Sequence, residues 1–119
     1  MIYIGRFGMG PIINGLLTDS RVNAKVASFP SPAGIRPNHH NAVGLVVHSD
    51  KPEKTLAQNE GVKQKMNRLP PTLLLVPPDS VKSEQITRLV KSNPQIKHVA
   101  STSLSYEQIV KLISEHLLS

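Results

Sequence analysis

The glycine-rich segment Gly5–Pro11 holds the residues best suited to binding chemistry, because three glycines and an arginine follow a strand-like run. A glycine backbone lets a ligand approach closely. A helix that begins just after such a loop directs N–H groups and the positive end of its dipole at an anion. Gly8 and Gly10 would form the cradle, and Arg6 would add a charge-assisted donor. The spacing G-x-x-G-x-G matches neither the dinucleotide fingerprint nor the P-loop, so a tight turn without a ligand is the more common interpretation.

Hydroxyl groups precede the last predicted helix in the segment Ser101-Thr102-Ser103. Together with the amides of the helix start, Ser101 and Thr102 could donate to a phosphate. Ordinary helix capping is the stronger interpretation, because Ser103 or Ser105 is needed as an N-cap in any case. We therefore assign Ser101 and Thr102 as secondary ligand donors only.

The tripeptide His48-Ser49-Asp50 contains all three residue types of a hydrolase triad. Neighbouring side chains on an extended strand point to opposite faces, so these three cannot form the relay that a triad needs. Asp50 is better explained as a helix cap, which leaves His48 as a weak candidate for a general base. The sequence thus leaves catalysis uncertain and favours a non-catalytic role.

The other histidines do not indicate a metal site. His39 and His40 are adjacent in a loop, where two side chains rarely share one ion without further ligands. His98 and His116 fall on a predicted strand and a predicted helix and are interpreted as structural. We predict neither a metal nor a cofactor.

Short apolar runs alternate with helical patterns along the chain. The predicted strands are residues 1–5, 24–29, 42–48, 72–76 and 96–100, and helical patterns cover residues 12–20, 50–68 and 80–93. The pair Ser105-x-x-Gln108 is a capping box that begins a final helix. Asp50 and Ser80 are predicted to cap the second and third helices. This alternation predicts one α/β domain over residues 1–119, a three-layer sandwich with a mainly parallel sheet of about five strands.

The segment Pro30–Asn41 interrupts this alternation with three prolines, Gly34 and two asparagines. Proline fixes φ, and glycine and asparagine tolerate positive φ, so the composition is typical of a loop. We predict that this loop is the least regular part of the domain. Whether it closes over a ligand or only connects two strands stays open.

Ligands of open parallel sheets bind beyond the carboxyl ends of the strands. That rule would bring together the segments after the first, third, fourth and fifth strands, although they are far apart in sequence. The predicted layout is flavodoxin-like and resembles that of response-regulator receiver domains. Gly5-Arg6-Phe7 stands where receivers carry an acidic pair, and Ala100-Ser101-Thr102 stands where they carry a lysine. The resemblance therefore implies the layout of the fold and no activity.

Composition narrows the function further. The chain has 119 residues, no cysteine, 3% aromatic residues and a net charge of +6. These values exclude a disulfide scaffold, a zinc finger and a cysteine nucleophile, and they disfavour an aromatic platform for single strands. Several cations fall in the last turns of predicted helices, where they complement the helix dipole, and no nucleic-acid motif accompanies them. No apolar run is long enough for a membrane span, and Met1–Gly5 lacks the features of a signal peptide, so a cytoplasmic location is expected.

The function favoured by these patterns is a small binding or regulatory domain with a site for a phosphate or nucleotide-type anion at the carboxyl edge of the sheet. The first alternative is a protein-interaction module of a larger assembly, or a homo-oligomer, with no small ligand. Nucleic-acid binding through a basic face and hydrolysis by His48 remain further alternatives. The sequence does not distinguish among the candidate ligands.

Overall fold

The computed structural model describes residues 1–5, 11–15, 26–36 and 42–117. Its strands are β1 (Ile2–Ile4), β2 (Ala27–Phe29), β3 (Leu45–His48), β4 (Thr72–Val76) and β5 (Ile96–Ser101). The helix α1 includes residues 11–15. It is followed by α2 (Pro52–Met66), α3 (Glu84–Ser92) and α4 (Tyr106–His116), with single 3-10 turns at Pro32–Gly34 and Pro78–Ser80.

All five strands are parallel and pair in the order β2-β1-β3-β4-β5. The register aligns Ile2 with Ala27 on one side and with Leu45 on the other. Strand order reverses between β1 and β3. The chain goes from β1 to β2 on one side, then crosses back to β3 on the other side of β1 and continues outward to β4 and β5. The predicted α/β class and parallel sheet are confirmed. The reversal is the point at which such sheets commonly bind ligands.

The sheet is covered on both faces, which makes the domain a three-layer sandwich. One layer packs α2, α3 and Ile35 against side chains such as Ile4 and Val47. The other packs Ile13 of α1 and the apolar stripe of α4 against Tyr3 and Val46. Strands β3 and β4 are buried along almost their whole length, which explains their continuous apolar sequence.

Helix boundaries depend on local side-chain chemistry, and two of the predicted caps are wrong. The capping box of α4 is confirmed, since Ser105 accepts the amide of Gln108 and the Gln108 side chain accepts the amide of Ser105. Asp50 does not cap α2, because Lys51 is the N-cap and Pro52 the first helical residue. Ser83 caps α3 by accepting the amide of Ile86. Ser80, the predicted cap, is instead buried in a 3-10 turn.

The described part of the predicted loop, residues 30–36, packs on α2. Ile35 is buried there, and Pro32 lies so close to Gly61 of α2 that a Cβ on Gly61 would approach the proline Cγ to 2.8 Å. A glycine in the middle of a helix is therefore explained by the approach of this segment. Residues 37–41 of the predicted loop lie outside the described residues.

Candidate functional site

A cleft of about 610 Å³ opens at the carboxyl edge of the sheet. It lies where the strand order reverses, and the segments that follow all five strands contribute to it. Its walls are formed by Gly5, Pro30, His48, Ser49, Asp50, Lys54, Gln58, Pro77, Thr102, Leu104, Ser105, Tyr106 and Glu107. The tertiary structure thus brings together the segments after β1, β3, β4 and β5, as the rule for parallel sheets predicts.

The floor of the cleft is built around His48, at the end of β3. Its Nδ1 lies 2.5 Å from the hydroxyl of Tyr3, a fully buried residue of the neighbouring strand β1. The two rings meet edge to face, with centroids 6.1 Å apart. Gly5 passes directly over His48, so that a Cβ on Gly5 would lie 2.6 Å from the His48 carbonyl oxygen. The imidazole is therefore fixed by a buried phenol and has little freedom to reorient.

The side chains of His48, Ser49 and Asp50 bind three different partners. The hydroxyl of buried Ser49 forms a hydrogen bond with the hydroxyl of Thr55 in the first turns of α2. The carboxylate of Asp50 pairs with Lys54 at 3.4 Å. Because His48 contacts Tyr3 rather than Ser49, the three consecutive residues do not form a catalytic triad.

The start of α4 presents polar backbone to the cleft. Its capping box uses the amides of Ser105 and Gln108, and the amide of Ile109 donates to the carbonyl of Ser105. Among the described residues, no hydrogen-bond acceptor is assigned to the first two helical amides, those of Tyr106 and Glu107. Both residues line the cleft. Unpaired N–H groups at the first turn of a helix are donors available to a ligand.

Ionisable side chains give the described walls a mixed charge. Lys54 is the cation there, while Asp50 and Glu107 are carboxylates. The pKa of Asp50 is lowered first by a hydrogen bond from its own backbone and then by Lys54, so Asp50 is ionised near neutral pH. An anionic ligand at these walls would pair with Lys54 and the α4 amides and would be opposed by the carboxylates of Asp50 and Glu107.

The predicted ligand donors have different positions. Thr102 lines the cleft, with its amide donating to the carbonyl of Val76 at 2.8 Å. Ser101 ends β5, and its Oγ accepts the amide of Ser103 at 3.0 Å, so it shapes the turn that carries Thr102. The other three predicted site residues, Arg6, Gly8 and Gly10, lie outside the described residues, as do His39 and His40.

Several wall residues were not singled out from the sequence. Lys54 and Gln58 belong to a helix whose exposed face carries many polar residues, so nothing in the sequence distinguishes the two that face the cleft. Tyr106 and Glu107 could have been found, because the capping box places them in the first turn of α4. Tyr3 appears as one more apolar position of a short strand, and its role depends on the pairing of β1 with β3.

At the opposite end of the sheet, His98 of β5 stacks on His116 near the end of α4. Their ring centroids are 4.4 Å apart and the planes are tilted by 6°. Parallel rings do not converge on one ion. No group of three or more His, Asp or Glu residues within the described ranges could hold a metal. The structure thus supports the interpretation of this pair as part of the packing between α4 and the sheet.

We expect the stability of the domain to fall as the pH is lowered through the range in which histidine titrates. The pKa of His98 is lowered chiefly by burial and secondly by repulsion from His116, with Glu115 acting in the opposite direction. The unfolded chain therefore binds a proton on His98 more readily, and folding stability is lost as the pH falls below about 6.5. Urea unfolding at pH 7.5 and 5.5 measures the loss. His98→Phe keeps a ring for the stack and is expected to show a smaller loss; an equal loss would assign the effect to other groups.

Neither a protein-family model nor a curated protein nor a solved structure matches the chain. Within the described residues, no helix is both long and apolar enough to cross a bilayer. A cytoplasmic location stays a prediction.

Proposed function

We propose that this protein is a non-catalytic binding domain whose ligand carries a phosphate or a similar anion and occupies the cleft at the carboxyl edge of the sheet. The carrying observation is the position of the cleft at the reversal of strand order, beside the first turn of α4. Open parallel sheets place their ligand sites there for a physical reason, since adjacent connections diverge to opposite faces and leave a crevice.

The chemistry of the walls supports an anionic group on the ligand. The amides of Tyr106 and Glu107, the hydroxyl of Thr102 and the ammonium of Lys54 can all donate to an oxyanion. Arg6 directly follows Gly5, which itself lines the cleft, and would supply a further cation. The remaining volume, with the ring of Tyr106 and Leu104 on its walls, would accept the less polar part of a ligand of the size of a nucleotide.

Arg6→Ala tests the proposed anion site. Calorimetric titration of the wild type with AMP and with inorganic phosphate is expected to show binding of AMP. Loss of one charge-assisted hydrogen bond from Arg6 should weaken that binding by about 10- to 100-fold. If the wild type binds AMP and Arg6→Ala binds it equally well, Arg6 does not belong to the site.

A second variant tests the sign of the charge that the cleft accepts. Glu107→Gln removes a carboxylate from the first turn of α4 and should tighten AMP binding by about 3- to 10-fold, because the repulsion of the phosphate is removed. Glu53→Gln is the matched control, since Glu53 occupies the first turn of α2 and is not among the residues that line the cleft. Weaker AMP binding in Glu107→Gln would show that the site prefers a cationic or hydroxyl-rich ligand.

If neither AMP nor inorganic phosphate binds at millimolar concentration, the alternative function, a protein-interaction module, is favoured instead. Light scattering after size-exclusion chromatography then distinguishes a stable oligomer, which that function expects, from a monomer.

A further inference from the structure

The cleft is larger than a phosphate group requires, and its walls belong to both layers of the sandwich. Helix α2 covers one face of the sheet and α4 covers the other. Lys54 and Gln58 line the cleft from α2, whereas Tyr106 and Glu107 line it from the first turn of α4. A volume of about 610 Å³ lies in the range of sites that enclose whole small molecules. A ligand that fills the cleft therefore has a part besides its anionic group, and that part contacts side chains of both helices.

Gln58 is an uncharged hydrogen-bonding group on the α2 wall. It lies one helical turn after Lys54, on the same side of the helix, and it is half-buried. Lys54 pairs with Asp50, but within the described part of the chain the Gln58 carboxamide has no hydrogen-bond partner. A carboxamide that a ligand covers loses its contacts with water, so the ligand must offer it both a donor and an acceptor.

Tyr106 presents an aromatic surface on the opposite wall. It is the first residue of α4, and it is 40% exposed although it lines the cleft. Among the described residues its ring stacks on no other aromatic ring. The apolar side chains of Leu104 and Pro77 line the same cleft. An exposed ring beside apolar groups favours a flat, weakly polar partner that can stack on it.

A purine base has the two properties that Gln58 and Tyr106 require. Its planar ring system stacks on tyrosine. Along the edge that carries N7, adenine places an amino donor beside an acceptor, and a glutamine carboxamide pairs with both. Guanine places two acceptors on the same edge, so the carbonyl oxygen of Gln58 would be left without a donor. The two side chains together therefore favour adenine.

We propose that the cleft binds an adenine nucleotide whose base stacks on the ring of Tyr106 and forms two hydrogen bonds with the carboxamide of Gln58. Lys54 and the first amides of α4 hold its phosphate in this arrangement. The carboxamide is the contact that determines specificity, since stacking alone accepts any base. Because this arrangement names the rest of the ligand, it rests on the proposed function, which requires only the anionic group.

Calorimetric titration with AMP, GMP, ribose 5-phosphate and adenosine separates the base from the phosphate. In the wild type, AMP should bind about 10- to 100-fold more tightly than ribose 5-phosphate, which lacks the base. AMP should also bind about tenfold more tightly than GMP, because only adenine satisfies both groups of the Gln58 carboxamide. Both nucleotides carry the same ribose and phosphate, so the difference between them reports on the base alone.

Three variants assign these preferences to side chains. Gln58→Met keeps the length of the side chain and removes its hydrogen bonds, so AMP and GMP should bind within about twofold of each other. Gln64→Met is the matched control, because Gln64 belongs to the same helix, is exposed and does not line the cleft; it should keep the wild-type preference. Tyr106→Ala should weaken AMP and GMP alike by about tenfold. Ribose 5-phosphate should bind to all three as it binds to the wild type, and thermal unfolding is the control for folding.

Three results would overturn the base subsite and leave the proposed anion site in place. Ribose 5-phosphate could bind to the wild type as tightly as AMP, AMP and GMP could bind equally, or Gln58→Met could keep the preference for AMP. Adenosine that binds as tightly as AMP would support the base subsite and contradict the anion site. If none of the four probes binds at millimolar concentration, both the base subsite and the proposed function are wrong.

Discussion

Gly5→Ala should lower the free energy of unfolding by about 2–4 kcal/mol, because a side chain at this position would collide with the backbone of β3. The added Cβ would lie 2.6 Å from the His48 carbonyl oxygen and 2.8 Å from the His48 Cβ. Neither atom can move away easily, since β1 and β3 are hydrogen-bonded neighbours in the middle of the sheet. The φ of 155° at Gly5 adds strain, because side-chain-bearing residues rarely adopt it.

Gly15→Ala is the matched control for this substitution. Gly15 belongs to the helical residues 11–15 and is exposed, and a Cβ there would have no described atom outside its own helix and chain neighbours within 4 Å. Alanine should raise stability there by about 0.5–1 kcal/mol, since it restricts the unfolded chain and favours the helix. Urea unfolding of both variants separates the two cases. An equal, small effect of the two substitutions would contradict the close approach of Gly5 to His48.

This close approach also connects stability with the proposed site. Gly5 is the last described residue before the glycine-rich segment, and it lines the cleft above His48. A glycine at this position is thus required by packing whether or not the cleft holds an anion. The structural interpretation and the ligand-binding interpretation of the glycine-rich segment therefore apply to different residues. Gly5 is structural, and a ligand role falls to Arg6, Gly8 and Gly10, for which it stays a proposal.

Asn59→Leu is expected to raise the free energy of unfolding by about 1–2 kcal/mol. Asn59 lies on the buried face of α2 with 1% of its surface exposed, and within the described part of the chain neither its amide nitrogen nor its oxygen has a hydrogen-bond partner. Burying an amide without partners is costly, and leucine has nearly the same shape with no polar group to desolvate. Thermal and urea unfolding measure the change.

Asn93→Leu provides a control with the opposite sign. Asn93 is also buried, but its side-chain amide donates to the carbonyl of Leu89 at 2.9 Å at the end of α3. Losing that bond should destabilise the domain by about 1 kcal/mol. If Asn59→Leu destabilised the protein as Asn93→Leu does, the Asn59 amide would have to be satisfied in solution, for example by a buried water molecule.

The sequence predicted the secondary structure well wherever local chemistry is decisive. The capping box at Ser105 and the strand Thr72–Val76 were located correctly, because a cap and a continuous apolar run act over a few residues. The cap of α3 was misplaced because Ser80 and Ser83 are both plausible N-caps. The cap of α2 was misplaced because Pro52 is the first helical residue, which makes Lys51 the N-cap although lysine is not a favoured capping residue. α2 ends at Met66 rather than near Arg68, because Asn67 adopts the left-handed conformation with a φ of 58°.

The sequence predicted at which edge of the sheet the site lies, but it predicted only some of the side chains that line it. Parallel strands must end at one edge, so the sequence alone placed a cleft beyond β1, β3, β4 and β5. The partners of its side chains depend on contacts between residues far apart in the chain. Nothing local indicates that the Tyr3 hydroxyl meets His48, 45 residues later, or that Lys54 and Glu107 share one wall.

By itself, then, the sequence determined the α/β class, the parallel sheet and the edge at which a ligand would bind, because periodicity, caps and the handedness of connections are local or topological. Only the tertiary structure decided which side chains meet there, and it also decided how the charge is distributed. In the sequence, the net charge of +6 is dispersed along the chain. Helices run antiparallel to the strands, so their C-termini all lie at the amino edge of the sheet and their N-termini at the carboxyl edge. Cations such as Lys65 and Lys91 therefore lie at the amino edge, and carboxylates such as Glu107 lie at the carboxyl edge.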